Sequence, residues 1–363
     1  MIRLIPREEP SAMWRYLAPV AAVALTVMAG AVLFALMGKD PLETLYHFFI
    51  SPISSRYGVA ELVVKATPLV LIALGLSIGF RAGVWNIGAE GQLTLGAIFG
   101  GGLAITFFES ESPLLLPSMM VFGALGGACW AAIPALLRTR FNVNEILTSL
   151  MLTYVATLLL SALVHGPWRD PDGYNFPESR LFPDAGTMPI LLDGTRLHLG
   201  ALLAVVATAA AWFMMSRTLL GFQVKVVGAA PRAARFAGFS ESRMVWFCLL
   251  LAGGLAGLAG LGEVAGPVGQ LVPEISPGYG FTAIIVAFLG RLHPVGVLFA
   301  GLLMALSYLG GENAQIAVGL PTAATGVFQG LLLFFVLAAD FLIRYRISWA
   351  RRGSTGSMGM GVR

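Results

Sequence analysis

The chain has 363 residues, of which 57% are hydrophobic and only 12% charged, with a net charge of +4 and a mean hydropathy of +0.81. This composition excludes a water-soluble body, because apolar segments of about 18 residues or more suffice to cross a hydrocarbon core of roughly 30 Å. The runs are continuous and rich in Ala, Leu and Gly, which also excludes a β-barrel, whose short strands alternate in polarity.

The pattern predicts an all-α, polytopic membrane protein, one domain over residues 1–363. Its ten spans lie at 15–37, 59–80, 83–107, 114–137, 145–165, 198–216, 243–263, 279–290, 294–311 and 323–344. The first follows Arg3, Arg7 and Arg15 and is too long for the core of a signal peptide. The eighth is too short to cross alone, so it is expected to continue through the preceding Gly/Pro-rich stretch as a broken or partly re-entrant element. With the N-terminus inside, 17 of the 23 Lys and Arg residues fall on the cytoplasmic side and 6 outside. That bias puts both termini in the cytoplasm, including a tail at 345–363.

Two connections are long. The outer one, from His165 to Arg196, carries Trp168, Asp170, Asp172, Tyr174, Phe176 and several prolines; it reads either as an ordered cap or as a docking surface for an extracytoplasmic partner. The inner one, 217–243, contains Pro231 and Gly238, residues suited to the start and stop of a helix of about two turns. Arg232 and Arg235 share one face of it, which could lie on anionic lipid or be gripped by a cytoplasmic motor.

Small residues recur four apart at Gly75/Gly79/Gly83, Gly96/Gly100, Gly123/Gly127 and Gly253/Gly257, the spacing that lets helix backbones approach closely in a membrane. The pattern G-x-x-G-Q-L occurs at Gly88–Leu93 and again at Gly266–Leu271. Copies five spans apart sit on opposite membrane sides, as an inverted-topology repeat would place them.

No catalytic constellation is found. The chain lacks a G-x-x-x-x-G-K-[ST] phosphate loop, an H-E-x-x-H pair and a nucleophile elbow. Cys129 and Cys248 have no metal or disulfide spacing, and His47, His165, His198 and His293 are scattered. The expectation is a non-enzyme with no cofactor or metal of its own and no nucleic-acid partner. Ionisable residues within spans are costly and point to function; they are Glu61, Lys65, Glu90, Glu145 and Glu263. Glu61 and Lys65, four apart, could pair along one helix face near the outer surface.

Three polar clusters stand out: Trp85–Gln92 at the start of the third span, Asn142/Asn144/Glu145 at the start of the fifth, and Gly310–Asn313 at the outer end of the ninth. Trp85, Asn86, Glu90, Gln92 and Asn144 are the candidate substrate-path residues, because an aromatic face can stack on a ring and amides can bond its hydroxyls. Asn142 or Asn144 can equally cap the fifth span, with Glu145 favouring its positive end. Packing and capping of the third span would explain the first cluster as well.

Gly79–Gln92, Asn142–Met151, Val227–Gly238 and Gly278–Ala283 with Leu289–Pro294 resemble, in order and span context, the permease subunits of bacterial ABC importers. The superfamily is that of ribose and branched-chain amino acid permeases. The branch is that of nucleoside and simple-sugar permeases served by basic-membrane-protein-type binding lipoproteins. The resemblance implies a multi-pass permease of the cell inner membrane that works by alternating access. Its partners would be an ATP-hydrolysing ABC subunit, an extracytoplasmic solute-binding lipoprotein, and a second permease, in this branch a paralogue. It also implies a coupling helix in the inner loop, carried here by Gly228, Pro231, Arg232, Ala233, Ala234, Arg235 and Gly238. The chain departs from many relatives at Ala230, where Asn would cap that helix, and at Thr282, where an acidic residue is common. The competing readings are a proton-coupled secondary transporter of small polar solutes and a membrane protein without a transport role.

Overall fold

The computed structural model describes residues 2–6 and 12–349, so the expected tail beyond residue 349 lies outside the described residues. In chain order the elements are β1 (Ile2–Pro6), α1 (Ala12–Leu36), α2 (Pro41–Phe49), α3 (Arg56–Arg81), α4 (Ala89–Thr106), α5 (Leu115–Phe141) and α6 (Glu145–His165). They continue with α7 (Gly200–Arg217), α8 (Leu219–Ala229), α9 (Pro231–Phe236), α10 (Glu241–Glu263), α11 (Tyr279–Leu289), α12 (Pro294–Val318), α13 (Thr322–Arg344) and β2 (Tyr345–Trp349). Two compact units result, one holding residues 42–329 and one built from the described residues before and after them. In the second unit β1 pairs antiparallel with β2, Ile2 opposite Trp349 and Pro6 opposite Tyr345. This strand pair adds to the all-helical expectation; Tyr345, Ile347 and Trp349 alternate with Arg346 and Ser348, a strand period.

The large unit is helical. By length and composition six of the described helices can cross a membrane: those at 56–81, 115–141, 145–165, 200–217, 241–268 and 294–318. At its centre α10 packs on α5, α4 and α3, while α11 and α12 pack on α3. The glycine pairs make this possible. A Cβ added at Gly96 would stand 2.1 Å from the Gly257 Cα, and one added at Gly127 would stand 2.1 Å from the Gly253 carbonyl oxygen. Three of the four small-residue pairs therefore meet one another across α4, α5 and α10, bringing backbones into van der Waals contact.

Four expectations are corrected. The third span starts at Ala89 rather than at 83, because Gly83 turns at φ +73° and Asn86 Oδ1 accepts the Gly88 N–H at 3.1 Å; a local side-chain turn competes with the helix there. The inner loop opens with a further helix, α8, capped by Thr218, whose hydroxyl accepts the Gly221 N–H at 3.3 Å. The ninth span runs on to Val318, stopped by Gly319 at φ +65°, so Gly310–Asn313 lies inside α12 rather than at its end. Lastly, Glu61 and Lys65 do not pair with each other, as described below.

The interruption expected at the eighth span is present. After α10 the chain makes one π-helical turn at Val264–Val268, reverses at Gly269 (φ +80°) and runs irregularly to the start of α11.

The long connection at 165–196 is stitched to this irregular segment: Ser179 N donates to Leu271 O at 2.9 Å, Phe182 N to Gly269 O at 2.8 Å and Met188 N to Ala265 O at 2.8 Å. Gln270 Nε2 adds a bond to Glu178 Oε2 at 2.7 Å. Backbone pairing of this kind is that of an ordered cap.

Candidate functional site

The first candidate cluster sits where the chain leaves α3 and enters α4. Trp85 is 40% exposed, lies tilted against Phe80 (5.0 Å) and stacks on Phe288 (6.1 Å). Asn86 and Gln92 are buried and bonded to each other in both directions, Asn86 Nδ2 to Gln92 Oε1 at 2.8 Å and Gln92 Nε2 to Asn86 Oδ1 at 3.1 Å. Each amide thus engages the other in this conformation, and the pair braces the turn. Asn144 is exposed and caps α6, its Oδ1 accepting the Ile146 N–H at 2.9 Å, while Asn142 ends α5 in the left-handed region at φ 53°. Glu145, behind the cap, is ion-paired with Arg138.

Glu90 is placed differently. Its carboxylate accepts the Gly280 N–H at 2.6 Å and the Ser276 hydroxyl, and it lies in the first turn of α4. Two helix N-termini, those of α4 and α11, therefore meet at one buried acid, an arrangement their dipoles favour. A Cβ at Gly280 would come within 2.2 Å of the Glu90 nitrogen, so only glycine permits this approach.

Beyond it, Tyr279 packs edge-on against Tyr308 at 5.6 Å, and Thr282 Oγ1 shares a 2.7 Å hydrogen bond with the Tyr308 hydroxyl. The Gln329 side chain lies close to the same hydroxyl. Sequence reading missed this group, apart from Thr282, because single Tyr and Gln residues in apolar helices carry no motif.

Ion pairs tie several helices together elsewhere. Buried Glu61 of α3 accepts from Arg196 Nε at 2.9 Å, and Lys65 of α3 bonds Glu312 of α12 at 2.8 Å. Glu61 and Lys65 share a helix face, but each finds a partner on another part of the chain. Glu61 raises the Arg196 pKa above its ordinary value through this bond. His198, buried beside the same loop, is pushed down to about 4 by burial, against a smaller opposing pull from Glu61. Its Nδ1 accepts the Gly200 N–H at 3.2 Å, which requires the neutral ring.

The inner segment presents the other candidate surface. Pro231 opens α9 after Ala230 (φ −148°), which supplies no side-chain cap, as expected from the missing Asn. Gly238 closes the helix at φ +80°, its N–H donating to Arg235 O at 3.0 Å. Ala234 is buried against the bundle, whereas Arg232, Ala233, Arg235 and Phe236 point outward, Phe236 at 95% exposure. Arg235 is bonded to Glu241 at 2.9 Å. Gly228 belongs to α8, where an added Cβ would lie 1.9 Å from the Arg81 carbonyl oxygen, so the segment that carries α9 is anchored directly on the end of α3. A recess of about 470 Å³ beside α9 is lined by Arg138, Asn142, Arg235, Phe239, Ser240 and Glu241, among others. Phe236 escaped the sequence reading, though an aromatic beside two arginines in a polar connection was the available signal.

Comparison with known proteins now bears on these surfaces. The family described as branched-chain amino acid transport system / permease component matches residues 58–337. The chain belongs to this permease family. As such it is the transport subunit of an ABC importer and has no ATPase site; a separate ATPase subunit uses the ATP, and a binding protein completes the system. The glucose ABC transporter permease protein TsgB13 of Haloferax volcanii is 40% identical over 97% of this permease and 96% of its own length. The guanosine ABC transporter permease proteins NupP and NupQ, both of Bacillus subtilis, are each 29% identical; NupP covers 91% of this chain and 94% of itself, NupQ 69% and 82%.

Proposed function

We propose that this permease carries neutral ring solutes bearing several hydroxyls, simple sugars or nucleosides, into the cell by alternating access. The relatives named for glucose and for guanosine support that class, and both solutes share the ring and its hydroxyls. Ten spans with both termini cytoplasmic, in one permease domain of the inner membrane, complete the reading. Its support is the 17-to-6 distribution of basic residues. The second permease is a paralogue, by analogy with one organism holding two guanosine permease proteins that both match this chain. Trp85 and Glu90 remain path residues, while Asn86, Gln92 and Asn144 act by holding the turn and the cap.

The observation that carries the mechanism is α9: a short helix with Arg232, Ala233, Arg235 and Phe236 turned outward and its supporting segment locked on α3 through Gly228. Such a helix can seat in a groove of the ATPase and pass a displacement to the bundle. The test is uptake of labelled guanosine and labelled glucose into vesicles holding this chain with its partner permease, ATPase and binding protein. Uptake of either that needs ATP, and that is lost in the Arg232→Glu/Arg235→Glu variant, supports the reading. Uptake that ignores ATP and follows a proton gradient overturns it.

A further inference from the structure

A polar atom buried in a membrane bundle costs free energy unless it is bonded. Among the described residues two buried side-chain atoms lack a partner, Ser307 Oγ and Gln329 Nε2. Gln329 is 8% exposed, so its free N–H groups face neither water nor lipid. They stand near the Tyr308 hydroxyl, which Thr282 meets from α11. Tyr279, one turn earlier on α11, sets its ring at 82° to that of Tyr308.

The depth of this group is informative. The 11 residues of α11 extend about 16 Å, half of a hydrocarbon core of roughly 30 Å. A helix that begins at Tyr279 and reaches one face of the membrane at Leu289 therefore begins near the middle. Tyr308 lies about 20 Å along α12 from Pro294, at a comparable level. The chain immediately before α11 is irregular, and irregular backbone at membrane depth is tolerated where it is buried in protein or lines a path. Interrupted helices of this kind mark binding sites in transporters. Glu90, Glu263 and Glu312 all lie within electrostatic reach of Tyr279, which disfavours an anion.

We propose that Tyr279, Thr282, Tyr308 and Gln329 form a solute station within the membrane that takes a neutral ring with adjacent hydroxyls. Gln329 Nε2 donates to one hydroxyl, the Thr282–Tyr308 pair opens to bond a second, and Tyr279 supplies an aromatic surface for the ring. The inference rests on the importer reading above and gives it a place.

The test uses the complete transporter in vesicles, with Gln329→Leu and Tyr308→Phe, and with guanosine, glucose and their single-deoxy analogues as solutes. ATP hydrolysis without solute and the amount of chain in the membrane are measured alongside. Loss of one neutral hydrogen bond of about 1 kcal/mol corresponds to about a 5-fold change. We expect Gln329→Leu to lower uptake of the intact solute about 5-fold at unchanged basal hydrolysis. For the deoxy analogue lacking the bonded hydroxyl, it should cause no further loss. The binding protein is the same in all arms, so its own discrimination cancels. Should Gln329→Leu fail to reach the membrane, Tyr308→Phe, which removes only a hydroxyl, carries the same comparison. Variants that transport and discriminate as the parent does overturn the station and leave the importer standing. A parent complex that moves neither solute overturns the proposed solute class, and the station with it.

Discussion

The most apolar 18-residue stretches of α3 and α6 have the same mean hydropathy, 2.0, yet 83% of the α3 stretch is buried in the protein and only 22% of the α6 stretch. In water such a pair would both seek the core. In a bilayer lipid tails are as apolar as leucine, so hydropathy puts a helix in the membrane without saying which helices touch. What separates the two is side-chain size and charge. The α3 helix carries Gly75, Gly79, Glu61 and Lys65, whereas α6 has no glycine and turns Leu147, Tyr154 and Leu158 outward. Close backbone contact and paired charge, not apolarity, sort the interior from the rim.

The sharpest way to break that contrast is to remove a close approach. Gly96→Leu forces a side chain into the Gly257 backbone, 2.1 Å away, and should cost about 3 kcal/mol or more. Leu158→Ala on the exposed face of α6 should stay within about 0.5 kcal/mol. Thermal unfolding in detergent separates the two, and equal shifts would mean that packing is not glycine-led.

Acid should reveal the buried histidine next. His198 has a folded pKa of about 4 against about 6.5 unfolded. Below pH 6.5 the unfolded chain takes up a proton that the fold refuses. Stability is therefore full above about 6.5 and falls as the pH drops toward 4, by about 3 kcal/mol in all. The midpoint-against-pH curve of His198→Gln should lack that part of the fall; parallel curves for parent and variant would show that His198 is not held neutral.

Arg196→Met leaves Glu61 buried without its partner. Because the Arg196 side chain is half exposed, the expected loss is about 2 kcal/mol rather than the larger cost of a fully buried pair. Removing both charges, with Glu61→Gln added, should recover part of it in the same unfolding assay. The smallest effect on stability belongs to Phe236→Ala. The ring is 95% exposed, so the unfolding midpoint should not move while ATP-driven uptake falls; an unchanged uptake rate would remove Phe236 from the coupling surface.

The sequence revealed what depends on local pattern. Pro231 and Gly238 bracket α9, Asn144 caps α6, and the glycine pairs that meet across α4, α5 and α10 were visible by spacing alone. What it hid depends on distant partners. Glu61 and Lys65 are four apart and look like a pair, but Arg196 and Glu312 approach from elsewhere in the chain. Asn86 and Gln92 look like free amides until the turn at Asn86–Gly88 folds one onto the other. The start of α4 was misplaced because the polar Trp85–Gln92 cluster reads as the opening of the span, while the Asn86 side chain accepts the Gly88 N–H and forms a turn instead. Tyr279, Tyr308 and Gln329 come together only because α11 is short and α12 long.

The most direct measurement places α9 against its motor. A single cysteine is introduced as Phe236→Cys in a chain whose Cys129 and Cys248 are replaced by alanine, and a short bifunctional maleimide is applied to the assembled transporter. Leu158→Cys on the exposed face of α6 serves as the control. The importer reading predicts a crosslink from position 236 to the ATPase subunit, with a yield that changes when ATP is added, and none from position 158. A transporter that takes up solute with ATP yet yields no crosslink at 236 would contradict the assignment of α9 as the coupling helix.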